Sequence, residues 1–181
     1  MRVTPTEIAD VLIVEPRVFA DERGFFLESY NRRAFREATG IDVEFVQDNH
    51  SRSARNVLRG LHYQLRQPQG KLVRVTVGEV WDVAVDLRAG SATFGKWVAC
   101  TLDAKSARCL WIPPGFAHGF LVVSDAAEVQ YKTTDYYAPE YERSLLWNDP
   151  ALAIPWPLRG DPVMADKDRR GAPLAAAERF A

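Results

Sequence analysis

The sequence has little of what marks several protein classes. Its 181 residues include two cysteines, too few for a disulfide scaffold, and neither has a cysteine or histidine partner at metal-ligand spacing. No apolar run approaches the roughly 20 residues of a membrane-spanning helix, and the N-terminus has no signal-peptide core. Lysine and arginine total 23 against 24 acidic residues, which argues against an extended surface for a nucleic-acid polymer. We therefore expect a soluble cytoplasmic protein without nucleic-acid or membrane partners.

The composition is that of an ordinary folded domain. Hydrophobic residues make up 47% and charged residues 26%, values that disfavour disorder. No internal repeat or low-complexity linker divides the chain, so residues 1–181 are predicted to form a single domain. The 11 prolines and the 11% of aromatic residues favour a β-rich fold with many turns.

Local patterns predict one clear helix among extended segments. Residues 11–19 read as two short strands broken at Pro16, and residues 25–30 as another strand. Residues 31–40 predict a helix, because Asn31 can cap its start and Gly40 can end it. A second short helix is expected where the C-terminal segment 166–181 ends.

From Val43 onward the pattern becomes extended. Trp81, Val83 and Val85 alternate with other residues as one face of a strand does. Gly78 and Glu79 separate this strand from the preceding one, which predicts a β-hairpin between the two. Many short strands at such spacing predict an antiparallel sandwich or barrel rather than a parallel sheet.

The histidines are the first candidates for chemistry. His62 shares a predicted strand with Arg59, and strict alternation places the two on opposite faces unless Gly60 interrupts the strand. Residues 113–118 have the pattern PxGxxH, ending at His118, which resembles the second motif of the cupin superfamily. The metal-binding cupins have an HxH pair in their first motif, whereas Gln64 stands two residues after His62 here. We therefore predict chemistry without a metal or another cofactor.

Longer motifs extend the resemblance over nearly the whole chain. In order, they are FxDERGFFxESYN (19–31), FVQDNHSRS (45–53), NVLRGLHYQ (56–64), GKLVRVTVGEVWDVAVDLR (70–88), WIPPGFAHGF (111–120) and YKTTDYYAPEYERSLLWND (131–149). Together they resemble the dTDP-4-dehydrorhamnose 3,5-epimerase family. The resemblance implies a mainly β, cupin-type jelly roll, also called a double-stranded β-helix, with a few short peripheral helices. It also implies an isomerase that inverts C3 and C5 of dTDP-4-dehydro-6-deoxy-D-glucose, giving dTDP-4-dehydro-L-rhamnose for L-rhamnose biosynthesis.

The reaction explains why certain residue types are needed. Protons on C3 and C5 are acidic because both carbons adjoin the C4 ketone, so inversion needs a base, a group that stabilises the enolate, and an acid on the other face. Histidine, lysine and tyrosine suit these roles. By resemblance, His62 is the base, Asp168 orients it, Lys71 stabilises the enolate and Tyr131 returns the proton.

The resemblance also implies substrate contacts and a dimer. The predicted substrate-binding residues are Arg23, Glu28, Gln47, Asn49, Arg59, Lys71, His118, Tyr136, Glu142 and Lys167. Arginine side chains suit the pyrophosphate because their forked donors match its oxygens. The family implies a homodimer whose N-terminal strands are exchanged, with Arg23 and Glu28 completing the partner's site, and a C-terminal helical tail.

Three alternatives remain open from sequence alone. One is an epimerase that inverts only C5 or only C3 of a dTDP-keto-sugar in the biosynthesis of a natural-product deoxysugar. Another is a non-catalytic cupin that binds sugar nucleotides. The third is a metal-dependent cupin oxygenase or isomerase, which the missing HxH pair disfavours.

Overall fold

The computed structural model describes residues 1–181, and most of its regular structure is β-strand. The strands are β1 (Arg2–Pro5), β2 (Leu12–Glu15), β3 (Val18–Asp21), β4 (Gly24–Leu27), β5 (Gln47–Ala54), β6 (Leu58–Gln64), β7 (Lys71–Val77), β8 (Glu79–Asp86), β9 (Trp97–Asp103), β10 (Cys109–Ile112), β11 (Phe116–Val122), β12 (Ala126–Thr133) and β13 (Glu142–Ser144). The helices are α1 (Arg32–Thr39), α2 (Asp166–Arg169) and one 3-10 turn (Pro139–Tyr141). The predicted mainly β class is confirmed.

The strands form two antiparallel sheets that pack face to face. The larger sheet has the order β1-β2-β10-β7-β12-β5, and the smaller has the order β13-β6-β11-β8-β9. Strands β3 and β4 pair separately as a two-stranded hairpin. Inward-facing side chains of both sheets, such as Val73, Val129, Ala84 and Phe120, form one buried cluster between them. Burial of this apolar surface stabilises the sandwich.

Two further clusters cover the outer faces of the sheets. Helix α1 packs Phe35 against Leu72 and Trp111 on the larger sheet. The Asn31 side chain accepts a hydrogen bond from the Ala34 N–H at 3.1 Å, and Gly40 ends the helix at φ +74°, as the sequence predicted. Chain beyond residue 145 covers the outer face of the smaller sheet with apolar side chains.

The hairpin prediction at Gly78 and Glu79 is wrong. Strand β7 pairs with β10 and β12 in the larger sheet, whereas β8 pairs with β9 and β11 in the smaller one. The turn therefore carries the chain from one sheet to the other. Gly78 has φ +74°, and a Cβ there would lie 2.0 Å from the Ala126 carbonyl oxygen, so the same glycine signal marks a tight corner.

The predicted terminal helix is also misplaced. The only helix in the 166–181 segment is α2, at its beginning rather than its end. The remaining tail is irregular and returns to the body, where Phe180 makes a bridge with Arg88 and packs against Tyr63. Apolar tertiary contacts therefore decide the conformation of the alanine-rich end. None of the helices has the length and apolar character that a membrane-spanning helix needs.

Candidate active site

A cavity of about 360 Å³ opens between the two sheets. Its lining is mostly polar, which is uncommon for the interior of a β-sandwich. The lining residues are Gln47, Asn49, Ser51, Arg59, His62, Tyr63, Gln64, Gln69, Lys71, His118, Gly119, Phe120, Tyr131, Tyr137, Glu142, Ala165, Lys167 and Asp168. Most of the side chains predicted to form the site therefore lie around one space.

An irregularity in β6 brings Arg59 and His62 to the same side. His118 of β11 is opposite His62, but Phe120 is opposite Arg59, so β6 has one residue more than its partner between these pairs. Gly60 lies in this bulge with φ +111°, and a Cβ on it would be 2.6 Å from the Gly119 Cα. The strict alternation that separates Arg59 from His62 is therefore broken, as the sequence allowed.

His62 forms a short hydrogen bond with Asp168. Its Nε2 lies 2.6 Å from Asp168 Oδ1, and the Gly60 N–H donates to Asp168 Oδ2 at 3.4 Å. Burial alone would raise the pKa of the Asp168 carboxyl, but its bonds to His62 and Gly60 outweigh this and hold the pKa below its ordinary value. The carboxylate therefore stays charged and holds His62 Nε2–H, which leaves Nδ1 as the free basic nitrogen.

The tail that bears Asp168 is docked against β13. Ala172 exchanges backbone hydrogen bonds with the neighbouring strand, accepting from the Leu146 N–H and donating to the Ser144 carbonyl, each at 2.8 Å. Gly171 permits this approach, because a Cβ on it would lie 2.6 Å from the carbonyl carbon and oxygen of Leu145. Ser144 is itself opposite His62 in the sheet, so the tail that follows Asp168 is fixed to the strand beside His62.

Lys71 and Tyr131 project from the larger sheet, across the cavity from His62. Burial lowers the pKa of the Lys71 ammonium to about 8, although the carboxylates of Asp82 and Glu142 oppose this change. Lys71 Nζ lies 3.4 Å from the His62 carbonyl oxygen. Burial also raises the pKa of the Tyr131 phenol, so this side chain keeps its proton at neutral pH.

A second histidine and aspartate form a deeper pair. His118 Nε2 lies 2.9 Å and 3.0 Å from the two carboxylate oxygens of Asp82, which has no exposed surface. Burial lowers the pKa of the His118 imidazole, with Asp82 opposing it, so the ring is neutral near pH 7.

Polar side chains at the rim are linked to one another. Lys167 Nζ donates to Glu142 Oε2 at 2.9 Å, and the Tyr137 hydroxyl donates to the same oxygen at 3.1 Å. On β5, Gln47 Nε2 donates to Asn49 Oδ1 at 2.9 Å. Arg59 Nε donates to the Ser53 hydroxyl at 2.9 Å, outside the lining itself. Most of the guanidinium donors therefore remain available to a ligand.

Three predicted site residues are not part of this cavity. Tyr136 is exposed and does not line it, whereas the next residue, Tyr137, does. The sequence offered two adjacent tyrosines in a loop, where no strand alternation distinguishes the inward one. Arg23 and Glu28 lie at and beside the exposed hairpin of β3 and β4 and do not line the cavity either. Their predicted role in a partner's site stays a prediction.

Sequence reasoning missed Asp82, Gln64 and Ser51 as members of the site. Asp82 had a usable signal, since a carboxylate within an alternating apolar strand must find a buried partner. For Gln64, the sequence signal is only that it stands where the metal-binding cupins have a histidine. Ser51 gave no signal, although its hydroxyl is buried without a hydrogen-bond partner.

The side chains offer no obvious metal centre. Nowhere do three or more histidine, cysteine, aspartate or glutamate residues gather in an arrangement that could hold a metal ion. His62 and His118 each have one nitrogen bonded to a different aspartate. The absence of a metal in the reaction stays a prediction.

Comparison with known proteins gives consistent results. The family model described as dTDP-4-dehydrorhamnose 3,5-epimerase matches residues 5–176. A protein of that name from Pseudomonas aeruginosa is 63% identical over 180 residues, covering 99% of each chain, and one from Shigella flexneri is 58% identical over 181 residues, also covering 99% of each. The crystal structure of a dTDP-6-deoxy-D-glucose-3,5-epimerase from Legionella pneumophila, in complex with dTDP-4-keto-L-rhamnose, is similar with a TM-score of 0.96 and 51% identity, over 98% of this chain and 94% of that one.

Proposed function

The chain belongs to the dTDP-4-dehydrorhamnose 3,5-epimerase family, and from this premise we propose that its cavity inverts C3 and C5 of dTDP-4-dehydro-6-deoxy-D-glucose through the side chains described above. The predicted family, its cupin-type jelly roll and its isomerase function are confirmed. Assignment of the individual steps to residues is our proposal.

The first step is removal of a proton beside the ketone. His62 Nδ1 takes the proton from C3 or C5, and the positive charge that develops on the ring is stabilised by Asp168 at 2.6 Å. The electron pair moves to the C4 oxygen, giving an enolate. The Lys71 ammonium lies in the same cavity and stabilises this negative charge.

The second step is return of a proton to the opposite face. Tyr131 supplies it from its neutral phenol as the enolate collapses to the ketone. The observation that carries this proposal is that His62 belongs to the smaller sheet and Tyr131 to the larger one, and both line the same cavity. A hexose ring between the sheets would present one face to each residue.

Several other lining residues are proposed to hold the nucleotide and the sugar. Arg59 and Lys167 provide cationic donors for the pyrophosphate, and amide and acceptor groups come from Gln47, Asn49, His118 and Glu142. Tyr137 provides an aromatic wall in the position that the sequence assigned to Tyr136.

We further propose that the enzyme is a homodimer. In support, Phe25 and Phe26 on the hairpin of β3 and β4 are 70% and 66% exposed, and an exposed apolar patch of this kind is typical of a protein–protein contact. In a dimer, the second copy would cover these two rings. Arg23 and Glu28 of one copy would then complete the cavity of the other. The predicted cytoplasmic location stays a prediction.

Heavy-water exchange tests the reaction directly. Incubation of the protein with dTDP-4-dehydro-6-deoxy-D-glucose in heavy water should place deuterium at both C3 and C5 and yield the L-rhamno product, as followed by NMR. The His62→Asn variant should lose exchange while still binding dTDP. Exchange at one carbon would favour a single-centre epimerase, and activity lost to chelators would favour a metal-dependent cupin. Absence of exchange with authentic substrate would refute the proposal.

A further inference from the structure

Gln64 is a buried cavity residue to which the proposed reaction gives no part. It is 4% exposed and lies two residues after His62 on β6. Its Nε2 donates to the carbonyls of Gln67 at 2.8 Å and Tyr136 at 3.1 Å, and its Oε1 accepts from the Ala138 N–H at 3.0 Å. The amide therefore uses both donor hydrogens and its acceptor within the protein, which makes it a poor ligand contact.

Two of these bonds lie on either side of Tyr137. Gln64 holds the carbonyl of residue 136 and the N–H of residue 138, while Gln47 Oε1 accepts from the Tyr137 N–H at 3.0 Å. Two glutamines from opposite sheets thus fix three consecutive residues of a loop that belongs to no strand. The ring end is fixed separately, because the Tyr137 hydroxyl donates to Glu142 at 3.1 Å.

We propose that Gln64 is a positioning residue that holds the loop of residues 135–138 so that the Tyr137 ring forms a fixed wall against the bound nucleotide sugar. This inference rests on the proposed function, which supplies the ligand. Tyr137 is 51% exposed at the rim of the cavity, so its aromatic ring is accessible to a ligand there. A loop that is already ordered does not have to be ordered again when the ligand binds, and affinity increases accordingly.

Replacement of Gln64 by leucine separates this role from catalysis. Gln64→Leu keeps the approximate size of the side chain but leaves the partners at residues 136 and 138 without their hydrogen bonds. We expect the Kd for dTDP and the KM for the sugar nucleotide to rise about 10-fold, since the loop must then be ordered by the ligand. The kcat should fall less than about 2-fold and its pH profile should stay unchanged, because Asp168 holds His62 independently.

A double-mutant cycle tests whether Gln64 acts through Tyr137. Binding of dTDP is measured by titration calorimetry for Gln64→Leu, Tyr137→Ala and the double variant. If Gln64 acts by holding Tyr137, the double variant should bind no more weakly than Tyr137→Ala alone. Gln130→Leu is the matched control, because this glutamine on β12 lines neither the cavity nor the loop. Its Kd should stay within about 2-fold of wild type.

Each outcome bears on one proposal. Additive effects of Gln64→Leu and Tyr137→Ala, or a shifted pH profile of kcat, would overturn the role of Gln64. If Gln64→Leu does not fold, Gln64→Asn replaces it in the cycle, since a side chain one methylene shorter cannot span both loop partners. Wild-type protein that neither binds dTDP nor exchanges deuterium would instead refute the proposed function.

Discussion

Asp168→Asn is the substitution that most directly tests the proposed base. It removes the negative charge 2.6 Å from His62 Nε2 while keeping the size of the side chain. At an effective dielectric constant of about 20, Coulomb's law gives roughly 6 kcal/mol of attraction at that separation once His62 is protonated. The His62 side chain is 25% exposed, so water screens part of this attraction. We therefore expect that about half of this attraction acts on the protonated ring. Its loss in Asp168→Asn should lower kcat roughly 100- to 1000-fold.

The assay is deuterium incorporation at C3 and C5, measured at saturating substrate. The KM should change by less than about 3-fold, because Asp168 acts on the charge that forms during proton transfer. Asp166→Asn is the control, since Asp166 begins the same helical turn but does not line the cavity. Should Asp168→Asn retain more than about a tenth of the wild-type kcat, Asp168 would not be stabilising the protonated base.

Three further results are expected. Above the Lys71 pKa of about 8, kcat/KM should fall about tenfold per pH unit, because an amine that has lost its proton no longer stabilises an enolate. A pH profile that stays flat to about pH 9 would contradict this expectation. Tyr131→Phe should still allow deuterium to enter C3 and C5 with the original configuration retained, because His62 can return the label to the face it attacks. If NMR finds inverted product at the wild-type rate, the tyrosine is not the acid. Gly171→Ala should lower kcat about 10-fold by pushing the tail from β13, while Gly90→Ala, which has nothing within 4 Å of its new Cβ, should not.

Local sequence patterns predicted those features whose causes are local. Helix α1 is set by a capping side chain and a terminal glycine within its own ten residues. At Gly60 the sequence left open an interruption of the strand, because a glycine inside a strand is a common place for a bulge, and the structure has one there. The long motifs also pointed to His62, Lys71, Tyr131 and Asp168, which the fold brings around one cavity.

Partner choice between distant segments could not be read in the same way. The Gly78 turn has the local chemistry of a hairpin, but β7 pairs with strands more than thirty residues further along the chain. Asp82 is hydrogen-bonded to His118, which lies 36 residues further along the chain. At Tyr136 and Tyr137, the inward residue is decided by hydrogen bonds from Gln64 and Gln47, which lie on two different strands. Such contacts depend on sheet order, which residue spacing alone does not specify.

The two histidine–aspartate pairs have similar chemistry, but their surroundings assign them different roles. A base that takes a proton from carbon and exchanges it with the solvent must be reached by water. The His62 side chain is 25% exposed and the His118 side chain 7%, so His62 meets this condition better.

His118 is equally unsuited to stabilising the enolate. Burial lowers its pKa, so the ring carries a single N–H, and that hydrogen is committed to Asp82. The other nitrogen, Nδ1, then has only a lone pair, which can accept a hydrogen bond from a sugar hydroxyl but cannot donate one to a negative oxygen. In the proposed mechanism, the developing charge on the C4 oxygen is therefore met by the ammonium of Lys71. While it is protonated, this group has N–H donors beyond the one directed at the His62 carbonyl oxygen.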